Sequence, residues 1–131
     1  MTKIGRLIFG FLLVCCATSA QAQSYPDHPI RLIVSIAAGS VTDVIMRAAS
    51  VELGPRFGQQ LVIENRGGAS GILAAQACAQ AAPDGYTLCV IYHSTMSYNP
   101  LLFDKLPYNA DIDLVPVSRL FFLTEGLFVN S

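Results

Sequence analysis

The sequence predicts an α/β fold of βαβαβ type, a parallel sheet with helices on both faces. Two observations carry this expectation. Short apolar runs rich in β-branched residues, at Ile30–Ile36, Leu61–Ile63 and Tyr86–Tyr92, alternate with segments whose apolar residues fit a helix. Buried strands this short, joined by helical crossovers, pair in parallel and are covered on both sides.

The elements follow in order. Tyr25-Pro26-Asp27-His28-Pro29 is an extended, proline-punctuated lead-in to the first strand, with His28 expected in solvent. Ala37-Ala38-Gly39-Ser40 turns the chain, and Ser40-Val41-Thr42-Asp43 has the spacing of a helix capping box. Val44, Ile45, Ala48, Val51 and Leu53 recur at helical spacing, and Gly54-Pro55 is expected to end or kink that helix. After the second strand, Asn65–Gly71 reads as a tight glycine-rich turn and Ser70–Ala81 as an alanine-rich helix. Pro83 stops this helix and Asp84-Gly85 turns into the third strand. His93–Tyr98 reads as a polar loop, Asn99-Pro100 through Lys105 as a brief helix, Asp111–Asp113 as loop and Val115–Leu123 as a further strand. Leu127–Ser131 looks like another strand with nothing after it, so the sequence reads as unfinished.

The first residues have a different character. Lys3 and Arg6 precede an apolar run from about Leu7 to Ala17, and Ala20-Gln21-Ala22 supplies the small-x-small pattern of a signal-peptidase site. Residues 1–22 are therefore expected to be a cleaved signal peptide and residues 23–131 the exported domain. The apolar run is too short to span a bilayer comfortably. Lipidation at Cys15 or Cys16 fits less well, because Val14 before Cys15 is not the small residue such a site needs.

Loss of the leader leaves six basic and nine acidic residues, a net charge of −3. This excludes a broad basic face for nucleic acid or anionic lipid. Cys78 and Cys89 remain; they could bridge in an oxidising compartment, but free cysteine is among the most buried residue types, which favours two buried thiols. Two histidines and two distant cysteines offer no metal-ligand spacing, and no cofactor is expected. Tyr86, Tyr92, Phe103, Tyr108, Phe121 and Phe122 read as core rather than as a stacking platform.

In open α/β sheets, ligands bind outside the carboxyl ends of the strands, where the strand order reverses. For an order 2-1-3 that reversal lies between the first and third strands, which selects the loops Ala37–Thr42 and His93–Ser97. Neither contains Lys or Arg, and both offer hydroxyls, from Ser40, Thr42, Ser94, Thr95 and Ser97. The first also feeds a helix N-terminus, where free amides and the helix dipole favour an anion. A carboxylate held by amides and hydroxyls suits this chemistry; ordinary helix capping by Ser40 and Thr42 is the competing reading. The glycine-rich Asn65–Gly71 lacks the spacing of a phosphate loop and follows the second strand, away from the reversal, so it is read as structural, braced by Glu64 and Arg66. A hydrolase triad of Ser94, His93 and Asp43 has no Gly-x-Ser-x-Gly elbow to support it.

From Tyr25 onward the chain resembles the solute receptors of tripartite tricarboxylate transporters, the Bug-type receptors. The resemblance rests on Pro29-Ile30-Arg31-Leu32-Ile33-Val34, on Ala38-Gly39-Ser40-Val41-Thr42-Asp43, and on Val62-Ile63-Glu64-Asn65-Arg66-Gly67-Gly68-Ala69-Ser70-Gly71. Pro83-Asp84-Gly85-Tyr86-Thr87-Leu88, Asn99-Pro100, Leu106-Pro107-Tyr108 and Asp113-Leu114-Val115-Pro116-Val117 follow in the same order and spacing. Ser40 stands where that family usually has a second glycine, and Ser35-Ile36 where Pro-Phe is common.

The resemblance implies part of lobe 1 of a two-lobed, Venus-flytrap (type 2) periplasmic binding protein, with the second lobe and the returning segment absent. It implies a non-enzymatic, monomeric receptor in the periplasm that captures a small carboxylate for membrane transporter subunits, and that is weak or inactive alone. Carried over position by position, it places Ala38, Gly39, Ser40, Thr42, Asp43, Ser94 and Thr95 at the ligand. An exported remnant that never folds stably is the second reading, and a small exported hydrolase a remote third.

Overall fold

The computed structural model describes residues 24–122 and residue 129. The predicted leader and the terminal run Leu127–Ser131, Val129 apart, lie outside the described residues, as does Leu123.

Three strands form one parallel sheet: β1 (Ile30–Val34), β2 (Leu61–Asn65) and β3 (Thr87–Val90), in the order β2-β1-β3. This is the 2-1-3 order supposed in locating the candidate loops. β1 is the middle strand, so both of its faces must be apolar; Ile30, Leu32, Ile33 and Val34 are all buried. Leu32 stands opposite Ile63 and Leu88 in the register, and Ile33 opposite Glu64 and Cys89.

Alternation along the strands then sorts the helices. Helix α1 (Val41–Phe57) covers one face, with Met46 and Ala49 packed on Leu32, Val34, Ile63, Leu88 and Val90. Helix α2 (Ile72–Ala79) lies against β1 and β3 on the other face; Ala74 and Ala75 are fully buried, and such small side chains let the helix sit close to the sheet. Ala75 also joins Tyr108 and Ala110 in a second cluster beyond the helix.

Several boundaries differ from the sequence reading. α1 does not stop at Leu53 but passes through Pro55 to Phe57, and Gly58 supplies its left-handed C-cap (φ 67°). The proline falls in the last turn, where it removes the one bond its amide would make to the Val51 carbonyl, and the helix ends two residues later. The second helix begins only at Ile72, after a 3₁₀ turn at Ala69–Gly71. His93–Tyr98 is not irregular: Ser94–Tyr98 forms a π-helical turn leading into helix α3 (Asn99–Leu102), shorter than expected.

The strand predicted at Val115–Leu123 is not formed over its described residues. Val115 and Val117 are 83% and 87% exposed. Leu114 packs with the Ala75 cluster and Phe121 with the Leu32 cluster, on opposite faces of the sheet. The segment therefore crosses from face to face, and its β-branched residues make no strand because it runs along neither outer edge of the sheet. The aromatics also divide: Tyr108 is core, whereas Phe103 and Phe122 are exposed, against expectation.

At the amino ends of the strands, the lead-in is clasped to the Asp84-Gly85 turn. The Tyr25 hydroxyl donates to the Gly85 carbonyl (2.7 Å) and the Tyr86 hydroxyl to Asp27 (2.7 Å). His28 is exposed, as expected, and lays one ring face on Tyr86 at 3.6 Å between centroids. That Tyr86 bond, with a second from His28, lowers the pKa of Asp27.

Cys78 and Cys89 form a disulfide, which corrects the expectation of two buried thiols. Cys89 points away from the α1 face of β3, and Cys78 occupies the last turn of α2, with 6.4 Å between their Cα atoms. Burial statistics could not reveal that this strand position and this helix turn face each other. The loop closed by the bond is short, so replacing both cysteines by alanine should cost about 3 kcal/mol on the chain-entropy estimate. Urea denaturation of oxidised wild type and the double variant checks this.

Candidate functional site

Parallel strands end together, so the segments following β1, β2 and β3 meet at one edge of the sheet. The meeting is close. A Cβ on Gly67 would lie 2.9 Å from the Ala37 nitrogen and 3.0 Å from the Ile36 carbonyl carbon, so the β1 and β2 loops touch backbone to backbone. Ser35 extends the ladder on the other side: its amide and hydroxyl both donate to the Val90 carbonyl, at 3.2 and 3.0 Å.

The turn into α1 is held by Asp43. Ser40 is the N-cap (φ −68°, ψ 162°), and its hydroxyl accepts from the Asp43 amide at 3.2 Å. In the reciprocal arm the carboxylate accepts from the Gly39 amide at 2.8 Å, one residue earlier than a capping box requires. The same carboxylate accepts from Arg47 Nε at 3.0 Å and from Asn65 Nδ2 at 2.9 Å, while Arg47 also donates to Asn65 Oδ1. Bonds from Arg47, Gly39 and Asn65, in that order, hold the Asp43 pKa down at about 2. Asp43 thus ties the β1 loop, α1 and the end of β2 into one unit. Gly39, at φ +80°, supplies the turn before it.

The cleft between these loops has a volume of about 740 Å³ and is open to solvent. Ile36, Ala37 and Ala38 form one wall, Asn65, Gly67, Gly68, Ser70 and Gly71 a second, and Tyr92, Ser94 and Thr95 a third, with Ser35 among the lining residues. No lining residue carries a charge. Of its five hydroxyl-bearing side chains and one amide, those of Ser35, Tyr92, Thr95 and Asn65 are already hydrogen-bonded within the chain, which leaves Ser70, Ser94 and the loop backbone to offer hydrogen bonds of both signs.

Of the residues the sequence singled out, Ala38, Ser94 and Thr95 line the cleft. Gly39, Ser40, Thr42 and Asp43 sit beside it as supports. The Gly39 amide is taken by Asp43, and the Thr42 hydroxyl, 1% exposed, is hydrogen-bonded to that of Tyr92. Asn65 and the Gly67–Gly71 turn were placed away from the cleft by the sequence reading, and that is corrected here. The crossover from β2 to β3 must pass over β1, which carries its first residues across the end of the middle strand. The spacing of Gly67, Gly68 and Gly71 was the available signal.

No triad is assembled from Ser94, His93 and Asp43. The Asp43 carboxylate is engaged by Gly39, Arg47 and Asn65, and the His93 ring packs edge-on against Tyr98 at 5.1 Å. Among the described residues there is no cluster of three or more His, Cys, Asp or Glu able to hold a metal, and no helix long and apolar enough to cross a membrane.

A second carboxylate, Glu64, accepts from Arg31 Nε at 2.6 Å and from Arg66 Nε, which lowers its pKa to about 2. Both acids have folded pKa values below their unfolded ones. Their contributions are complete above about pH 4.5 and drain away as pH falls towards 2. Urea midpoints measured across that window should fall for wild type, and the fall should be shallower in Asp43→Asn and in Glu64→Gln.

Comparison with known proteins agrees with this architecture. Residues 45–131 match the tripartite tricarboxylate transporter family receptor. A UPF0065 protein of Bordetella bronchiseptica is 40% identical over 125 residues, 95% of this chain and 37% of that protein. The solved structure of the periplasmic binding protein BugD superposes with a TM-score of 0.59 at 35% identity, over 66% of this chain and 28% of that one. MatC of Rhodopseudomonas palustris, solved with bound malate, gives a TM-score of 0.62 at 40% identity, over 68% and 30%. The chain spans about a third of the length of the curated relatives it matches. With most of its length matched by the family and its parallel sheet superposing on solved receptors, this chain belongs to the tripartite tricarboxylate transporter receptor family.

Proposed function

We propose that this chain forms one wall of the ligand cleft of a periplasmic solute-binding receptor. The receptor takes up a small dicarboxylate and hands it to a membrane transporter without altering it. The observation that carries the reading is the uncharged cleft at the carboxyl ends of the strands, rich in hydroxyls and loop backbone and without a nucleophile–base pair. Such a site can hydrogen-bond a carboxylate directly or through water. The malate bound by MatC supports a dicarboxylate of that size as the ligand class, and the leader-like first residues support export. In this reading Ser94 and the backbone at Ala38 meet the ligand, and Thr95, fully buried with its hydroxyl on the Ser70 carbonyl, fixes the wall behind them. Gly39, Ser40, Thr42 and Asp43 hold the first loop in place for it.

A cleft open to solvent buries little of its ligand, so affinity from this chain alone is expected to be low. Malate, succinate, citrate and benzoate should be titrated into ¹⁵N-labelled residues 23–131. The expected result is shifts of the Ser94, Thr95 and Ala38 amides by the dicarboxylates, with dissociation constants of ~1 mM or weaker. Shifts from none of the acids would overturn the receptor reading, and micromolar binding would overturn the expectation of weakness.

A further inference from the structure

The glycine-rich wall of the cleft has a backbone that its own residues do not favour. Ala69 (φ 47°) and Ser70 (φ 52°, ψ 34°) are consecutive non-glycine residues in the left-handed region, between Gly68 (φ 103°) and Gly71 (φ 80°). Side chains with a Cβ resist this conformation, and it persists only where the surroundings impose it.

The surroundings here are specific. The Ser70 carbonyl accepts from Asn99 Nδ2 at 2.9 Å and from Thr95 Oγ1 at 3.3 Å. Asn99 is 1% exposed and Thr95 fully buried. The Tyr108 hydroxyl donates to the Thr95 carbonyl at 2.8 Å and lies 3.4 Å from Asn99 Nδ2. A Cβ on Gly71 would come within 2.4 Å of Thr95 Oγ1, so the glycine is what admits this contact. One carbonyl on the second wall is therefore gripped from the π-turn and from the start of α3, and the grip is backed by the loop at Tyr108. Neither Asn99 nor Tyr108 lines the cleft, whereas Ser70, Gly71, Ser94 and Thr95 do.

We propose that Asn99 and Tyr108 are positioning residues that lock the Gly68–Gly71 turn against the Ser94–Thr95 wall, so that a carboxylate meets a preformed surface. The proposal deepens the dicarboxylate-receptor reading and rests on it for the ligand. A wall fixed beforehand leaves less chain to be ordered when ligand arrives, and this saving appears as affinity. Asn99 suits the task because its amide nitrogen carries two donors and can serve the Ser70 carbonyl while facing the Tyr108 hydroxyl.

The test compares residues 23–131 as wild type, Asn99→Ala and Tyr108→Phe. The last removes only a hydroxyl and keeps the ring in its cluster, so it remains informative if Asn99→Ala fails to fold. Amide hydrogen exchange and malate titration are read by NMR on the same samples. Both variants are expected to speed exchange at residues 68–71 at least tenfold, with less than twofold change in β1 and α1, and to weaken malate binding about tenfold. Uniform acceleration through β1 and α1 in Tyr108→Phe would overturn the proposal, since it would reveal loss of general stability. Unchanged exchange at 68–71 would overturn it too, as would faster exchange there with malate affinity intact. If malate does not bind wild type while exchange at 68–71 responds as expected, the locking role stands and the ligand reading fails.

Discussion

The position of β1 in the middle of the sheet is the constraint on which the rest depends. A middle strand in a parallel sheet has neighbours on both edges and helices on both faces, hence the unbroken apolar run of Ile30, Leu32, Ile33 and Val34. It also has no room for a sideways exit. The chain leaving β1 must turn over the sheet edge, and the crossover from β2 to β3 must pass the same place. Three loops from distant parts of the sequence are thereby pressed together above Val34, and at Gly67 nothing larger than hydrogen fits between two of them. The cleft is what remains between loops that cannot avoid meeting.

Charge is kept out of this meeting place. Asp43 is matched with Arg47, and Glu64 with Arg31 and Arg66, so both carboxylates are engaged before any ligand arrives and these five groups together carry one positive charge in excess. What is left for a ligand is dipolar: the Ser70 and Ser94 hydroxyls and loop backbone. Dipoles of this kind discriminate by geometry at contact distance, whereas a lysine or arginine attracts any anion from several ångströms away. A neutral lining therefore trades reach for selectivity, and binding to it should depend little on ionic strength.

Much of this could be read from the residues, and the failures are instructive. The strands follow from runs of β-branched residues, and the two walls built from the β1 and β3 loops follow once the order 2-1-3 is supposed. Asp43 was recognised as important but assigned to the ligand; its spacing from Ser40 fits a cap, and only the positions of Asn65 and Arg47 show that the carboxylate is fully engaged. The Gly67–Gly71 wall was missed because a sheet order states which strands are neighbours and is silent on the path of the connection between them. The Cys78–Cys89 bond was misjudged for a related reason, since composition carries no information about which helix turn faces which strand position. Val115–Phe122 shows the reverse failure, where local preference for a strand is strong but the segment pairs with neither outer edge of the sheet.

The disulfide also bears on when the fold is completed. Sheet, helices and hydrogen-bonded loops can form wherever the chain is, but the link from α2 to β3 closes only where thiols are oxidised. A chain made in a reducing compartment carries the same sheet with its second helix held by alanine packing alone. Oxidation then fastens that helix, and with it the start of the glycine-rich turn, to the strand that leads into Ser94 and Thr95. The covalent bond therefore depends on the surroundings: the two walls of the cleft are joined through it only where the two thiols have been oxidised.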